Sequence, residues 1–214
     1  TTHSPHFVAV PDYDQVALVR KNDGGTYVTL SDLPVDEKRK EKLLKELDPE
    51  RNELFFATRV LFVEGDTEKL AFPEYARRLG LDLDKVGASI IEVGGKRNLL
   101  EFSRIAASFQ IPFGVVYDED SSEIRDKNEE TAYNKQLDDL GKNGNRIWRF
   151  VKKYEDELKE AVGGDAAYQS LCQKYPNVGK PTRARLIAAD AQTAVPEKVK
   201  DILTWLLGNK GTAL

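Results

Sequence analysis

Val60-Leu61-Phe62-Val63-Glu64-Gly65-Asp66-Thr67-Glu68 is an apolar run that stops abruptly in charge. β-Branched and aromatic residues that end in Glu64-Gly65, with a helix-starting Asp66-Thr67 behind them, read as a buried strand turning into a helix. The pattern recurs further on. Ile111 to Tyr117 is a second apolar run, and it stops in Asp118-Glu119-Asp120. Two buried strands that each end in carboxylates predict one acidic site at the edge of a sheet.

The residues between and around these runs set the fold. Arg59–Val63 is expected as the first strand and Thr67–Leu79 as a helix in which Pro73 forces a kink. Gly87–Val93 is the second strand, Gly94-Gly95 a turn, and Ile111–Tyr117 the third strand. Asn98–Phe109 carries Leu99, Leu100, Phe102, Ile105 and Ala106 at helical spacing. Strands this apolar, separated by helices of this length, pair in parallel with helices on both faces. The fold class is therefore α/β, a Rossmannoid parallel sheet flanked by helices with further helical elements. Right-handed crossovers place the ends of the first and third strands on one edge. Ligands of open α/β sheets gather at that edge.

Upstream, residues 16–30 alternate as a hairpin around Asn22-Asp23-Gly24-Gly25, residues that tolerate a tight turn. Asp36 to Leu47 is a charged helix with Leu43, Leu44 and Leu47 on one face. Residues 1–56 read as a connecting module, 57–190 as the catalytic domain with a polar and helical insertion around 121–175, and 191–214 as a C-terminal helix. Within the insertion, Ser121–Asn145 is a loop or surface helix. Arg146–Val151 is a fourth strand, and Tyr154–Val162 and Ala166–Tyr175 are helices. Gly179-Lys180-Pro181 leads into Thr182–Ala191, and Pro196–Leu207 closes the chain. Trp148 and Trp205 are expected to anchor the core.

Composition narrows the function. The 214 residues are 40% hydrophobic and 32% charged, enough for one well-buried domain with attachments or for two small ones. No apolar run approaches the ~20 residues needed to cross a bilayer, so no membrane role is expected. One cysteine, Cys172, excludes an internal disulfide framework and fits a reducing, cytoplasmic setting. With two histidines beside it, a structural zinc site is excluded as well. The net charge of −4 means that any attraction to phosphate comes from local basic patches and bound metal. The sequence lacks methionine and begins Thr1-Thr2-His3-Ser4-Pro5, which reads as a piece of a longer protein.

The carboxylates carry the chemistry. Asp118 and Asp120 are two apart, so in extended backbone both point to one side. Glu64 sits at a strand end and Glu68 in the first helical turn, where negative charge is favoured. Each has an ordinary alternative: dipole compensation for Glu68, a solvated strand end for Glu64, a metal-free acidic rim for all four. Brought together, however, like charges at ~4 Å cost roughly 4 kcal/mol per pair at an effective dielectric of ~20. A cation offsets that cost. Mg²⁺ and Mn²⁺ prefer carboxylate and water oxygens, and such ions are the usual means of cutting or joining nucleic-acid backbones. Gly94-Gly95-Lys96 would let backbone and ammonium approach a phosphate, although a tight turn explains the glycines equally.

Glu64-Gly65 after one strand, Gly94-Gly95 after a second and Asp118-x-Asp120 after a third resemble a Toprim domain, over about residues 57–190. Toprim domains occur in type IA and II topoisomerases, bacterial primases, RecR-type repair proteins and OLD (overcoming lysogenization defect) nucleases. Val63-Glu64-Gly65-Asp66-Thr67-Glu68 is similar to the Glu-Gly-x-Thr-Glu of the OLD family, in which an ABC-type ATPase precedes the Toprim domain. Thr1-Thr2-His3-Ser4-Pro5 resembles the ATPase strand end that carries the switch histidine. The resemblance implies a DNA endonuclease region using two Mg²⁺ or Mn²⁺ ions, with Glu64, Glu68, Asp118 and Asp120 as metal ligands and Glu155 as an outer one. It implies a catalytic role for Lys180 beside Glu64 and Asp118, the alternative for Lys180 being a surface lysine before a helix. It also implies DNA, the ATPase of the same protein, a second copy and a helicase as partners. A primase or topoisomerase, or a RecR-like DNA-binding module without catalysis, would use the same acidic edge.

Overall fold

The computed structural model describes residues 1–8, 10–22, 24–34, 36–45, 49–119, 124, 126–142 and 144–208, with the side chains of 10, 22, 39, 44 and 45 excepted. It opens with the expected antiparallel hairpin, β1 (Ala17–Asn22) and β2 (Gly25–Leu30), followed by α1 (Glu37–Lys45). The remaining elements are β3 (Arg59–Val63), α2 (Asp66–Arg78), α3 (Leu83–Val86), β4 (Ala88–Glu92), α4 (Lys96–Ser108), β5 (Phe113–Asp118) and α5 (Lys127–Leu140). Then come β6 (Arg146–Phe150), α6 (Tyr154–Val162), α7 (Asp165–Lys174), α8 (Lys180–Ala189) and α9 (Glu197–Leu207).

β3 to β6 form one parallel sheet in the order β4-β3-β5-β6. Alternation along β3 explains why both faces must be covered. Val60 and Phe62 enter one core with Phe102 and Ile105 of α4, Leu137 of α5 and Phe113 and Val115 of β5. Leu61 and Val63 enter the other with Phe72 and Tyr75 of α2, Leu158 of α6, Ile187 of α8 and Ile202 of α9. Burial of each large side chain stabilises the layers by about 1.5–3 kcal/mol.

Gly114 marks where packing is tightest. A Cβ there would lie 2.7 Å from the Trp148 ring and 2.9 Å from that of Trp205. The two indoles meet edge to face at 5.4 Å, so both tryptophans anchor the core. Arg59 stacks 4.7 Å from the Trp205 ring and donates to its carbonyl at 2.8 Å, which fixes α9 against β3.

Four expectations need adjustment. The core does not stop at residue 57: Tyr13, Leu43, Leu54 and Phe55 are buried with β3 and α4, because the face beneath α4 extends beyond what α4 covers. α2 continues through Pro73 from Asp66 to Arg78, with the proline ring on the exposed side. Lys180 is the first residue of α8 rather than part of a preceding turn. The stretch expected as a loop or surface helix forms α5, which has a buried face of Glu130, Asn134 and Leu137.

Candidate active site

β3 and β5 are neighbours in register, Val63 opposite Val116, so the residues that follow them emerge side by side. The main-chain N–H of Asp118 donates to Glu64 Oε1 at 2.7 Å. The two acidic strand ends therefore meet. Gly65, which follows Glu64, caps the N-terminus of α2 and brings Glu68 round on the first turn of that helix. A cleft of ≈ 220 Å³ opens here, lined by Glu64, Gly65, Thr67, Glu68, Asp118 and Lys180 among others.

Two further elements close the rim. β6 pairs Phe150 with Asp118, so α6 starts beside the cleft. α8 is held along α2 by Arg78, which donates to the carbonyls of Ala188 at 2.8 Å and Thr193 at 2.6 Å. Within that layer the Tyr75 and Tyr154 hydroxyls are 3.0 Å apart. Lys180 and Glu155 consequently stand together at the rim, Nζ to Oε1 2.8 Å. Glu155 is one of three consecutive acidic residues in the first turn of α6. Asp156 pairs with Lys159 and Glu157 with Lys198, leaving Glu155 as the one of the three that meets Lys180.

The electrostatics are those of crowded negative charge. Burial, then the charges of Asp118, Glu64 and Glu155, push the Glu68 carboxyl up to about 8. Burial and Glu155 raise Asp118 to about 6, against the pull of Lys180 and Lys153. For Lys180, burial acts downward, but its bond to Glu155 and the charges of Glu68 and Asp118 leave the ammonium shifted upward. A carboxyl raised as far as that of Glu68 is short of positive charge, and a hard divalent cation is the species that oxygen donors of this kind accept. Among the described residues no three carboxylates converge into a ready-made cation cage. Asp120 lies outside the described residues.

The glycines serve the tight turn, one of their two expected readings. Gly94 and Gly95 have φ of 77° and 106°, the left-handed region that favours glycine. Their N–H groups are used internally, Gly94 donating to Glu92 and Gly95 to the Glu64 carbonyl at 2.9 Å. Lys96 does not face a phosphate. It is fully buried, and its ammonium donates to the carbonyls of Asp118 (2.7 Å) and Glu119 (3.1 Å) and to Glu130 Oε1 (3.0 Å). With its donors taken and its head enclosed, Lys96 has no route to substrate.

Sequence reading missed Glu130 and Lys153. Glu130 lies 34 residues from its lysine partner, on a helix whose composition looks solvated. Lys153 is exposed, and only its field at Asp118 distinguishes it. A larger groove, ≈ 630 Å³, runs beside β4 between α2 and α3. Its charged residues, Glu53, Lys69, Arg77, Asp82 and Asp84, are mixed in sign and do not share the acidic character of the cleft.

Comparison with known proteins bears on the fold that carries this cleft. Residues 55–120 match the family model for the TOPRIM domain of overcoming lysogenization defect protein-like proteins. An OLD nuclease of Thermus scotoductus is 32% identical over 143 residues, covering 64% of this chain and 27% of the relative. The chain thus spans about a quarter of that relative's length. The C-terminal region of the Burkholderia pseudomallei OLD protein has the same fold, with a TM-score of 0.51 at 19% identity over 71% of this chain and 98% of that one.

Proposed function

We propose, on the premise that this chain carries an OLD-like Toprim domain, that its acidic cleft hydrolyses DNA phosphodiester bonds with the help of divalent cations. One observation carries the reading: Glu64, Glu68, Asp118 and Lys180 line a single cleft at the carboxyl edge of the sheet. Glu64, Glu68 and Asp118, with Asp120 and Glu155, would hold two Mg²⁺ or Mn²⁺ ions. Such ions supply Lewis-acid charge for an attacking water and a departing 3′ oxygen.

The chain's own residues do the rest. Glu64 and Asp118 approach from adjacent strands, whose register keeps them together. Glu68 comes from a helix N-terminus, where its ionised form is favoured once a cation is near. Lys180 exchanges Glu155 for the scissile phosphate and meets the charge that grows there. An ATPase in the same polypeptide and DNA as substrate belong to this proposal. No described helix is long and apolar enough to cross a membrane.

The test is nicking of supercoiled plasmid with Mg²⁺ or Mn²⁺ and a chelator control. We expect metal-dependent nicking by the wild-type chain and its loss, by about 1,000-fold or more, in folded Asp118→Ala. Undiminished nicking by that variant would sink the assignment. Primer synthesis from labelled nucleotides would favour the primase reading, and tight DNA binding without cleavage the RecR-like one.

A further inference from the structure

We propose that Lys96 and Glu130 form a buried clamp that positions Asp118 for metal binding, a role that deepens the nuclease reading and rests on it. The site described above explains which carboxylates gather, and β6 holds one edge of the end of β5, pairing Phe150 with Asp118 and accepting the Glu119 N–H at the Phe150 carbonyl, 2.8 Å. β5 ends at Asp118: Val116 and Tyr117 are still buried in the two cores, whereas Asp118 lines the open cleft and the neighbouring Glu119 pairs with Arg149 near the surface. The position of the Asp118 carboxylate thus depends on how its main chain is held.

It is held from both sides by charged groups. Glu64 Oε1 accepts the Asp118 N–H at 2.7 Å. The Lys96 ammonium donates to the Asp118 carbonyl at 2.7 Å and to the Glu119 carbonyl at 3.1 Å. The third donation goes to Glu130 Oε1 at 3.0 Å, and the Nζ lies 4.8 Å from the Tyr117 ring centre. An ammonium has three protons, so all three are committed. Lys96 itself is fixed where α4 begins. The Gly94-Gly95 turn delivers it, and the Tyr133 hydroxyl donates to its carbonyl while accepting the Leu100 N–H at 3.1 Å.

A fully buried ion pair is a costly way to fill a core. Removing two charges from water costs several kcal/mol per ion, and apolar residues of similar volume are often as stable or more so. Stability alone therefore gives no reason for Lys96 and Glu130. The ammonium also does not act chiefly through its charge on the Asp118 carboxyl, where burial and the fields of Glu155, Lys180 and Lys153 dominate. What it does is grip two successive carbonyls at the turn from β5 into the acidic segment. That grip adds to the strand register and the Glu64 bond, and so steadies the separation of Asp118 from Glu64 on which shared coordination depends.

The experiment compares wild type, Lys96→Met/Glu130→Gln, Glu130→Gln and Asp118→Asn. Mn²⁺ binding without DNA is measured by titration calorimetry or electron paramagnetic resonance, and thermal melting in chelator reports the fold. The double variant removes the clamp without leaving an unpaired charge, so it should melt within a few degrees of wild type. Its Mn²⁺ affinity should fall about 10- to 100-fold, the range for groups that orient metal ligands, and nicking should shift to correspondingly higher Mn²⁺. Glu130→Gln keeps an acceptor for the ammonium and should lose a few-fold. Unchanged Mn²⁺ affinity in a folded double variant would overturn the clamp; should that variant not fold, unchanged affinity in Glu130→Gln would do so. Wild type and Asp118→Asn binding Mn²⁺ equally would instead overturn the metal reading beneath it.

Discussion

Two lysines serve the end of β5 from opposite faces of the sheet, and they are placed on opposite plans. Lys96, on the α4 and α5 face, is fully buried with three acceptors around its ammonium. Lys180, on the α2, α6 and α8 face, keeps a side chain that is 63% exposed beside Glu155. Around Lys96 the charges balance, and around Lys180 carboxylates are in excess. The difference separates a part that fixes geometry from a part free to act on a substrate. Stability should depend on the first and turnover on the second.

The largest effect is expected where the balance is broken. Lys96→Met alone takes the close ammonium from the buried Glu130 and leaves it the exposed Lys127, 3.9 Å from its Oε2, a loss of up to about 3–5 kcal/mol of folding stability. Denaturant unfolding should show it as a lowered midpoint. Removing the ammonium and carboxylate together should restore most of the loss. A single variant as stable as wild type would erase the contrast between the two regions.

Lys180→Ala should do the reverse. Its ammonium stands at the exposed rim although Glu155 is mostly buried, and the pair stabilises the fold by about 1 kcal/mol. If the ammonium meets charge growing on phosphate, its removal should slow cleavage about 100-fold, roughly 2.7 kcal/mol of barrier. Single-turnover nicking at saturating Mn²⁺ separates this from weaker binding. A fall of less than about threefold would return Lys180 to an ordinary surface residue.

How much of this contrast could be read beforehand follows from range. The strands ending in Glu64 and Asp118 were legible, because a buried strand writes its apolar run locally and its end is marked by the first charge. Their meeting was legible through the handedness of crossovers. Lys180 and Glu155 could be named only through a family motif, since nothing nearby in sequence says that α8 packs along α2. The purpose of Lys96 was not legible at all. A lysine after two glycines looks the same whether it faces phosphate or Glu130, and Glu130 sits among polar neighbours on α5 with no local mark of burial. The core contribution of Tyr13 and Leu43 was hidden likewise, because isolated apolar residues in charged segments carry no period.

The excess of carboxylates should also be measurable as a pH dependence of the metal-free protein. Glu68 is raised to about 8 and Asp118 to about 6, so the folded state retains protons that the unfolded chain has already released. Between roughly pH 4.5 and 8 the unfolded state binds fewer protons, and stability falls as pH rises. Allowing for partial exposure and screening, the change is on the order of 1–2 kcal/mol. Urea unfolding in chelator at pH 5 and pH 8 would measure it. Glu68→Gln should flatten the slope, and Mn²⁺ should restore stability at pH 8. A slope of the opposite sign would mean that these carboxyls are already compensated.

The smallest structural effect, with a functional one attached, is expected at Gly65. Its φ of −151° and ψ of −178° are extended values that any residue adopts, and a Cβ there would meet nothing within 4 Å. Alanine caps a helix less well than glycine, yet it lowers the entropy of the unfolded chain by a comparable amount. Net stability should therefore stay within about 0.5 kcal/mol. The added methyl, however, enters the cleft between Glu64 and Thr67, where a phosphate and its cations must fit. We expect Gly65→Ala to cleave several-fold more slowly while melting like wild type. Equal cleavage would show that substrate approaches from the Lys180 side without touching the α2 N-terminus, and would move the reaction's position within the cleft.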